Sequence, residues 1–222
     1  MEFRELVVVG SSNMDLVISV PRIPAIGETV LGGKSSMVFG GKGRNQAVAA
    51  IRSGGDTAFI AKVGKDLFGG NMKDHFKNEG FDIELILTDE TEPTGVAQIF
   101  VSEKGENSIA VASGANMWLL PKDIEPFTSL IANAKVVLLQ LETPLNTVKY
   151  ITDIAFKNGV KIILNPAPAQ KLDAELLKKI WLLTPNESET SMLTGITVID
   201  RTSAEIAGKQ LLTMGVKNAV IT

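Results

Sequence analysis

The chain has no cysteine and a single histidine, His75, in its 222 residues. Disulfide frameworks, thiolate metal sites and cysteine nucleophiles are therefore excluded by inventory. No Ser-His-Asp triad can be assembled either, because His75 lies in a helical-looking segment, Asp66 to Asn78, with Leu67, Met72 and Phe76 as apolar positions. A surface or boundary role is expected for it. Charge of one sign is also scarce: the formal net charge is -3, and Lys and Arg are scattered, leaving no basic field for a nucleic acid or an anionic membrane. No apolar run approaches the ~18 residues of a membrane helix, and Met1 to Glu5 contain no basic leader. Neither nucleic acid nor membrane is expected as a partner, and the cytoplasm is the expected address. Repeats and low-complexity stretches are absent too, which removes solenoid and linker readings.

What remains is ordinary for one large soluble α/β domain, with 45% apolar and 21% charged residues. Strands are expected at Leu6–Val9, Ala58–Val63, Val136–Leu141, Lys161–Leu164, Trp181–Leu183 and Ala219–Thr222. They alternate with helices expected near Gly43–Ser53, Asp66–Asn78, Pro144–Asn158, Asp173–Lys179, Asn186–Leu193 and Ser203–Met214. That rhythm predicts a doubly wound, mainly parallel sheet flanked by helices. Asp173 and Ser203 read as N-caps, and Gly159 and Gly215 as the glycines that follow helix ends. Two segments break the rhythm with strand-like alternation, 16–38 and 94–112, and read as exposed hairpins inserted into the domain. Gly27 to Ser35, within the first, imitates a phosphate loop, but its spacing is one residue too long for that motif and its context is a hairpin.

Four segments place polar groups where such a sheet binds ligands. A helix opens on Gly40-Gly41-Lys42-Gly43-Arg44-Asn45, whose glycines would let a ligand meet main-chain N–H groups; a sugar hydroxyl or a phosphate suits it, although tight turns and close helix–sheet packing use the same pattern. Gly10 to Asp15, Gln140 to Pro144 and Thr184 to Glu189 each follow an apolar strand candidate, past its carboxyl end. Asn13, Asp15, Asn45 and Glu142 are the donors and acceptors suited to gripping adjacent hydroxyls.

In this order, Gly-Ser-x-Asn-x-Asp after the first strand, Pro24 to Thr29, Gly40 to Ala50, Leu164 to Ala169, and Asn186 to Glu189 resemble the ribokinase-like, phosphofructokinase-B-type carbohydrate kinases from Val7 to Thr222. The resemblance implies a small β lid formed by 16–38 and 94–112, closing over the sugar and pairing two subunits. It implies ATP, Mg²⁺ and a monovalent cation, K⁺, as cofactors, and D-ribose as substrate, with deoxyribose, another pentose or a nucleoside as alternatives. The implied sugar contacts are Asn13, Asp15, Gly41, Lys42, Gly43, Asn45 and Glu142; the nucleotide contacts are Asn186 and Thr222; Glu189 is the residue ordering Mg²⁺-bound water. Asn186 and Glu189 have a competing reading as a helix N-cap and its capping-box partner.

Two departures stand out. Arg44 occupies a position where such kinases carry a small residue, from which it could reach a phosphate or a carboxylate, or crowd the sugar. The Gly-Ala-Gly-Asp motif that supplies these kinases with their base and anion hole does not occur in the 222 residues. The chain is therefore expected to be a truncated version that binds sugar without phosphorylating it, and a non-catalytic sugar-binding module is the reading from a different class.

Overall fold

The computed structural model describes residues 3–222. Its strands are β1 (Leu6–Val9), β2 (Asn13–Val20), β3 (Ser35–Gly40), β4 (Thr57–Gly64), β5 (Ile86–Asp89), β6 (Gly95–Ser102), β7 (Asn107–Ala112), β8 (Val136–Leu139), β9 (Lys161–Leu164) and β10 (Leu182–Leu183). Its helices are α1 (Lys42–Arg52), α2 (Leu67–Asn78), α3 (Pro121–Ile124), α4 (Thr128–Asn133), α5 (Leu145–Lys157), α6 (Ala174–Leu177), α7 (Glu187–Thr194) and α8 (Arg201–Thr213).

Six strands form one sheet in the order β10-β9-β8-β1-β4-β5, with every pairing parallel. Period-2 alternation gives it two apolar faces. Val7 and Val9 join Ile60, Leu139 and Ile162 under α5, whereas Val8 joins Phe59, Ala61 and Val63 under Ala47 and Val48 of α1 and Met72 and Phe76 of α2. From β1 the chain builds outward through β4 and β5, then returns to place β8 against the opposite edge of β1. The strand order reverses between β1 and β8, which is where open α/β sheets form a ligand crevice, outside the carboxyl ends of the strands.

A second sheet, β3-β2-β6-β7, is the lid. Its outer pairs are the two expected antiparallel hairpins, and its central pair, β2 with β6, is parallel. The Gly27 to Ser35 stretch lies largely in the irregular connection between β2 and β3, with no helix after it.

The structure corrects several boundaries. β2 starts at Asn13, so Asn13 and Asp15 belong to the lid strand and not to a turn after β1. Residues 219–222 form no strand: Ala219 makes one isolated bridge to Leu183, because β10 is only two residues long and runs into Pro185. The N-cap of α8 is Asp200; Ser203 is its third helical residue and completes the capping box. Asp173, Gly159 and Gly215 take their expected positions, the two glycines with φ of 72° and 108°. β5 went unforeseen, since four residues after a single 3₁₀ turn carry too little periodicity to register.

β4 carries one charge through the core. Lys62 Nζ lies 3.2 Å from Asp89 at the end of β5 and 2.9 Å from Asp123 in α3, and donates to the Trp118 carbonyl at 2.8 Å. Asp89 is held well below the usual carboxylate range, first by the Glu92 and Thr91 amides, with Lys62 a smaller cause. Lys62→Met should remove the cation shared by the neighbouring carboxylates Asp89 and Asp123, at a cost of about 3 kcal/mol. Thermal unfolding should show Tm lower by roughly 6–12 °C. Adding Asp123→Asn should restore part of the loss, and a Tm within a degree of the parent would show that the cluster contributes no stability.

Candidate sugar-binding site

The crevice at the strand reversal is closed by glycine contacts. A Cβ on Gly43 would lie 2.6 Å from the Gly10 carbonyl carbon and the Ser11 nitrogen, so the first turn of α1 sits directly on the chain leaving β1. Gly41, the N-cap of α1, has φ of 91°, and a Cβ there would lie 2.9 Å from the Ser11 carbonyl oxygen. Both glycines are dictated by backbone approach.

This packing changes the reading of the helix start. The Lys42 amide donates to Glu142 Oε2 at 3.0 Å, the Gly43 amide to Ser11 Oγ at 3.3 Å, the Arg44 amide to the Ser11 carbonyl at 2.9 Å, and the Asn45 amide to Gly41 at 2.9 Å. Glu142, just past β8, thus takes the place of an anion at the positive end of α1. A phosphate has no open donor among these four amides. Glu142 Oε2 also accepts from Ser11 Oγ, while Oε1 lies 3.9 Å from Lys42 Nζ and has no hydrogen-bond partner among the described residues. Gly43 is buried and acts through close packing. Lys42 and Gly41 are half-buried and Asn45 is exposed.

From the lid, Asp15 meets this cluster. Its carboxylate lies against Gly40, where an added Cβ would come within 2.1 Å of Oδ2. Its pKa is raised, first by burial and then by the negative charge of Glu142, against the opposing pull of Arg44. Asn13, two residues earlier on the same face of β2, is only 4% exposed, and its Oδ1 accepts from Asn116 Nδ2 at 2.7 Å. Strand register sets Val38, Asp15, Ala97 and Val111 in one row across the lid. The carboxylate therefore stands in an otherwise apolar row. A separate cavity of about 400 Å³, lined by residues including Ser19, Val20, Leu31 and Val101, lies toward the other end of β2 and contains none of these groups.

Arg44 makes no salt bridge among the described residues. Its Nη1 donates to Asn45 Oδ1 at 3.0 Å and its Nη2 lies 2.7 Å from His75 Nε2. Arginine can only donate, so Nε2 must be the acceptor and His75 is neutral with its proton on Nδ1. Burial, and then the Arg44 charge, lower the His75 pKa and hold it in that form. The ring stacks on Phe39 of β3 with centroids 4.2 Å apart. His75 is thus the expected boundary residue, and Arg44 is directed to it, with no carboxylate in salt-bridge range among the described residues.

Asn186 and Glu189 lie past β10, away from these groups in the chain, and form the capping box of α7. Asn186 Oδ1 accepts from the Glu189 amide at 2.8 Å, and the Asn186 amide donates to Glu189 Oε2 at 2.9 Å. Glu189 is 6% exposed, and its Oε1 has no partner among the described residues. The Thr222 amide donates to the Pro185 carbonyl at 3.0 Å, which holds residue 222 beside the start of this motif. Among the described residues no group of three or more acidic or histidine side chains could ligate a metal directly.

Asn116 was not singled out by sequence reasoning, and Ser11 was read only as part of the Gly-Ser-x-Asn-x-Asp motif, with no role of its own. Ser11 could have been found from its place after β1; Asn116, between Ala115 and Met117, carries no periodic or glycine signal that marks it.

Comparison with known proteins fits this geometry. The chain is 47% identical over 219 residues to the ribokinase of Haemophilus influenzae, covering 99% of this chain and 72% of that protein. It is 33% identical over 219 residues to the deoxyribokinase of Salmonella typhi, covering 98% of this chain and 72% of that one. Among solved structures it is similar to the ribokinase of Arabidopsis thaliana complexed with ribose and ATP, with a TM-score of 0.89, 31% identity, and coverage of 99% of this chain and 72% of that one. The model of the pfkB family of carbohydrate kinases matches residues 4–222. With a parallel sheet reversing at β1 and β8, a four-stranded lid, and polar groups gathered where the two meet, the chain belongs to the pfkB carbohydrate kinase family.

Proposed function

We propose that this chain carries the sugar side of an ATP-dependent phosphorylation of D-ribose to ribose 5-phosphate. The observation that carries this reading is the convergence of Asn13 and Asp15 from the lid with Glu142 and the start of α1 at the strand reversal. Asp15 accepts from two ring hydroxyls and Asn13 donates to one of them. Glu142, through Oε1, and Lys42 hold a third, while Gly41 and Asn45 line the floor and buried Gly43 sets the depth. Ribose is favoured over 2-deoxyribose because a site of paired polar groups loses most when a hydroxyl is missing. The relatives agree in direction, with 47% identity to a ribokinase against 33% to a deoxyribokinase.

Calorimetric titration should show D-ribose binding about tenfold or more tighter than 2-deoxy-D-ribose or adenosine, the value of one lost hydrogen bond to a charged group. Equal or tighter binding of deoxyribose or the nucleoside would transfer the assignment to that substrate.

For ATP we assign Asn186 and Thr222 to the nucleotide. The open Oε1 of Glu189 fits a hydrogen bond from a Mg²⁺-bound water, while its capping role fixes the carboxylate. When bound, Mg²⁺ neutralises phosphate charge during transfer. A monovalent cation belongs to the proposal on family grounds, with no residue of this chain assigned to it. The cytoplasm, where ribose and ATP meet, is the proposed place of action; no described helix is long and apolar enough to cross a membrane.

The lid also supports a homodimer. Met37 and Val38 on β3 and Ile109 and Val111 on β7 are exposed, and both strands are open edges. Sedimentation should report a dimer for the parent and a monomer for Ile109→Asp with Val111→Asp. A dimer that persists in that variant places the interface elsewhere.

A further inference from the structure

We infer that Asn116 is a positioning residue that fixes the polarity of Asn13, so that Asn13 presents only a hydrogen-bond donor to the ligand. The Ser12 amide, whose polarity is unambiguous, donates to Asn116 Oδ1 at 2.8 Å. The other end of the Asn116 amide faces the Ser113 carbonyl at 2.9 Å and the Ser12 carbonyl at 3.2 Å, both obligatory acceptors. Three backbone groups thus force one orientation on a side chain that is 1% exposed. Nδ2 then donates to Asn13 at 2.7 Å, and the Asn13 atom receiving it must be Oδ1.

Asn13 Oδ1 is therefore turned inward onto Asn116, and Nδ2 is the polar atom of its side chain with no partner among the described residues. Asp15, on the same face of β2, is an acceptor when ionised. A hydroxyl that accepts from Asn13 Nδ2 must turn its own proton away, and the Asp15 carboxylate is there to receive it. The pair reads a hydroxyl as acceptor and donor at once, which selects a free hydroxyl over an ether, an ammonium or a missing group. Gly95 opposite keeps room for this arrangement: a Cβ there would lie 2.2 Å from Asn13 Oδ1 and 2.3 Å from Asn116 Nδ2. The role in sugar selection rests on the ribose reading above; the amide orientation does not.

Two measurements test it. In side-chain amide NMR of the parent protein without sugar, the Asn116 Nδ2 protons should exchange roughly tenfold or more slowly than those of Asn13. The reverse pattern overturns the orientation. In a double-mutant cycle read by D-ribose calorimetry, Asn13→Ala and Asn116→Ala should each weaken binding about tenfold, and the double variant no more than ~2-fold beyond Asn13→Ala. Additive losses would mean that Asn116 supports the fold generally, and would overturn the positioning role. Should Asn116→Ala fail to fold, the parent amide measurement still decides. If the amide pattern holds but the parent binds no ribose, the ribose reading falls and the orientation of Asn13 stands.

Discussion

Asp15→Asn should bind D-ribose at least tenfold more weakly than the parent while unfolding at a higher temperature at pH 7. The first effect follows from losing charge-assisted hydrogen bonds to two hydroxyls, each worth about 1.5–3 kcal/mol. The second comes from the electrostatics of the empty site, where burial and the nearby Glu142 both raise the Asp15 pKa and Arg44 offsets them only in part. A carboxyl whose folded pKa is raised binds its proton more tightly in the folded state. Its stabilising contribution is present at acid pH and is lost as pH rises through the folded value. At neutral pH the ionised Asp15 is therefore a cost to the fold, and a neutral amide relieves it. The gain in Tm should shrink as pH falls through the ordinary carboxylate range. Calorimetry for the sugar and a pH series of thermal melts check both halves. Unchanged ribose affinity would remove Asp15 from the site, and a destabilised Asp15→Asn at pH 7 would contradict the electrostatic account.

The opposition between stability and binding is typical of a site prepared for a ligand. An isolated carboxylate in the row Val38, Asp15, Ala97 and Val111 has no structural purpose visible in its contacts. Lys62 is the contrast: a buried charge, it has two carboxylates and a carbonyl around it. Pairing marks Lys62 as a structural charge, and the unpaired Asp15 is the one assigned to the ligand by the proposed function.

Much of this was legible in the sequence for definite reasons. The parallel sheet announced itself through continuous apolar runs such as Leu6–Val9, which only strands buried on both faces require. The start of α1 was legible because Gly41 and Gly43 are imposed by backbone contacts that a side chain would block. Which role each glycine plays was not legible, since an open ligand contact and tight packing ask for the same residue. Only the structure shows that Glu142 and Ser11 occupy the first three donors of the turn, Glu142 taking the Lys42 amide. Asn13 and Asp15 were seen as polar residues after β1, but their place on a lid strand depends on pairing with β3 and β6, which start about 20 and 80 residues later in the chain. Asn116 was invisible because its meaning lies in contacts to Ser12 and Asn13, more than 100 positions away. The capping box at Asn186 and Glu189 was written plainly in their spacing, and the structure realises it without deciding what else those groups do.

The most direct test of the account concerns the division of labour between binding and transfer. On the proposed reading Asn13, Asp15 and Glu142 hold the sugar, and neither of the two carboxylates is free to act as base. Asp15 is assigned by that reading to ring hydroxyls, and Glu142 is hydrogen-bonded to Ser11 and to the start of α1. A base must first be within reach of the attacking hydroxyl, and geometry precedes pKa in choosing it. The Gly-Ala-Gly-Asp motif that would supply one is not among these residues. Removing a catalytic base typically costs about 10²–10⁴ in rate, and losing the anion hole with it costs more. The measurement is ADP release with D-ribose and ATP, made on the 222 residues alone and on a version continued through a Gly-Ala-Gly-Asp segment, with ribose calorimetry on both. The account predicts ribose binding by both, turnover by the longer protein, and a rate at least ~10³-fold lower for residues 1–222. Comparable turnover by the two would place the base within this chain and contradict the assignment of Asp15 and Glu142 as binding groups.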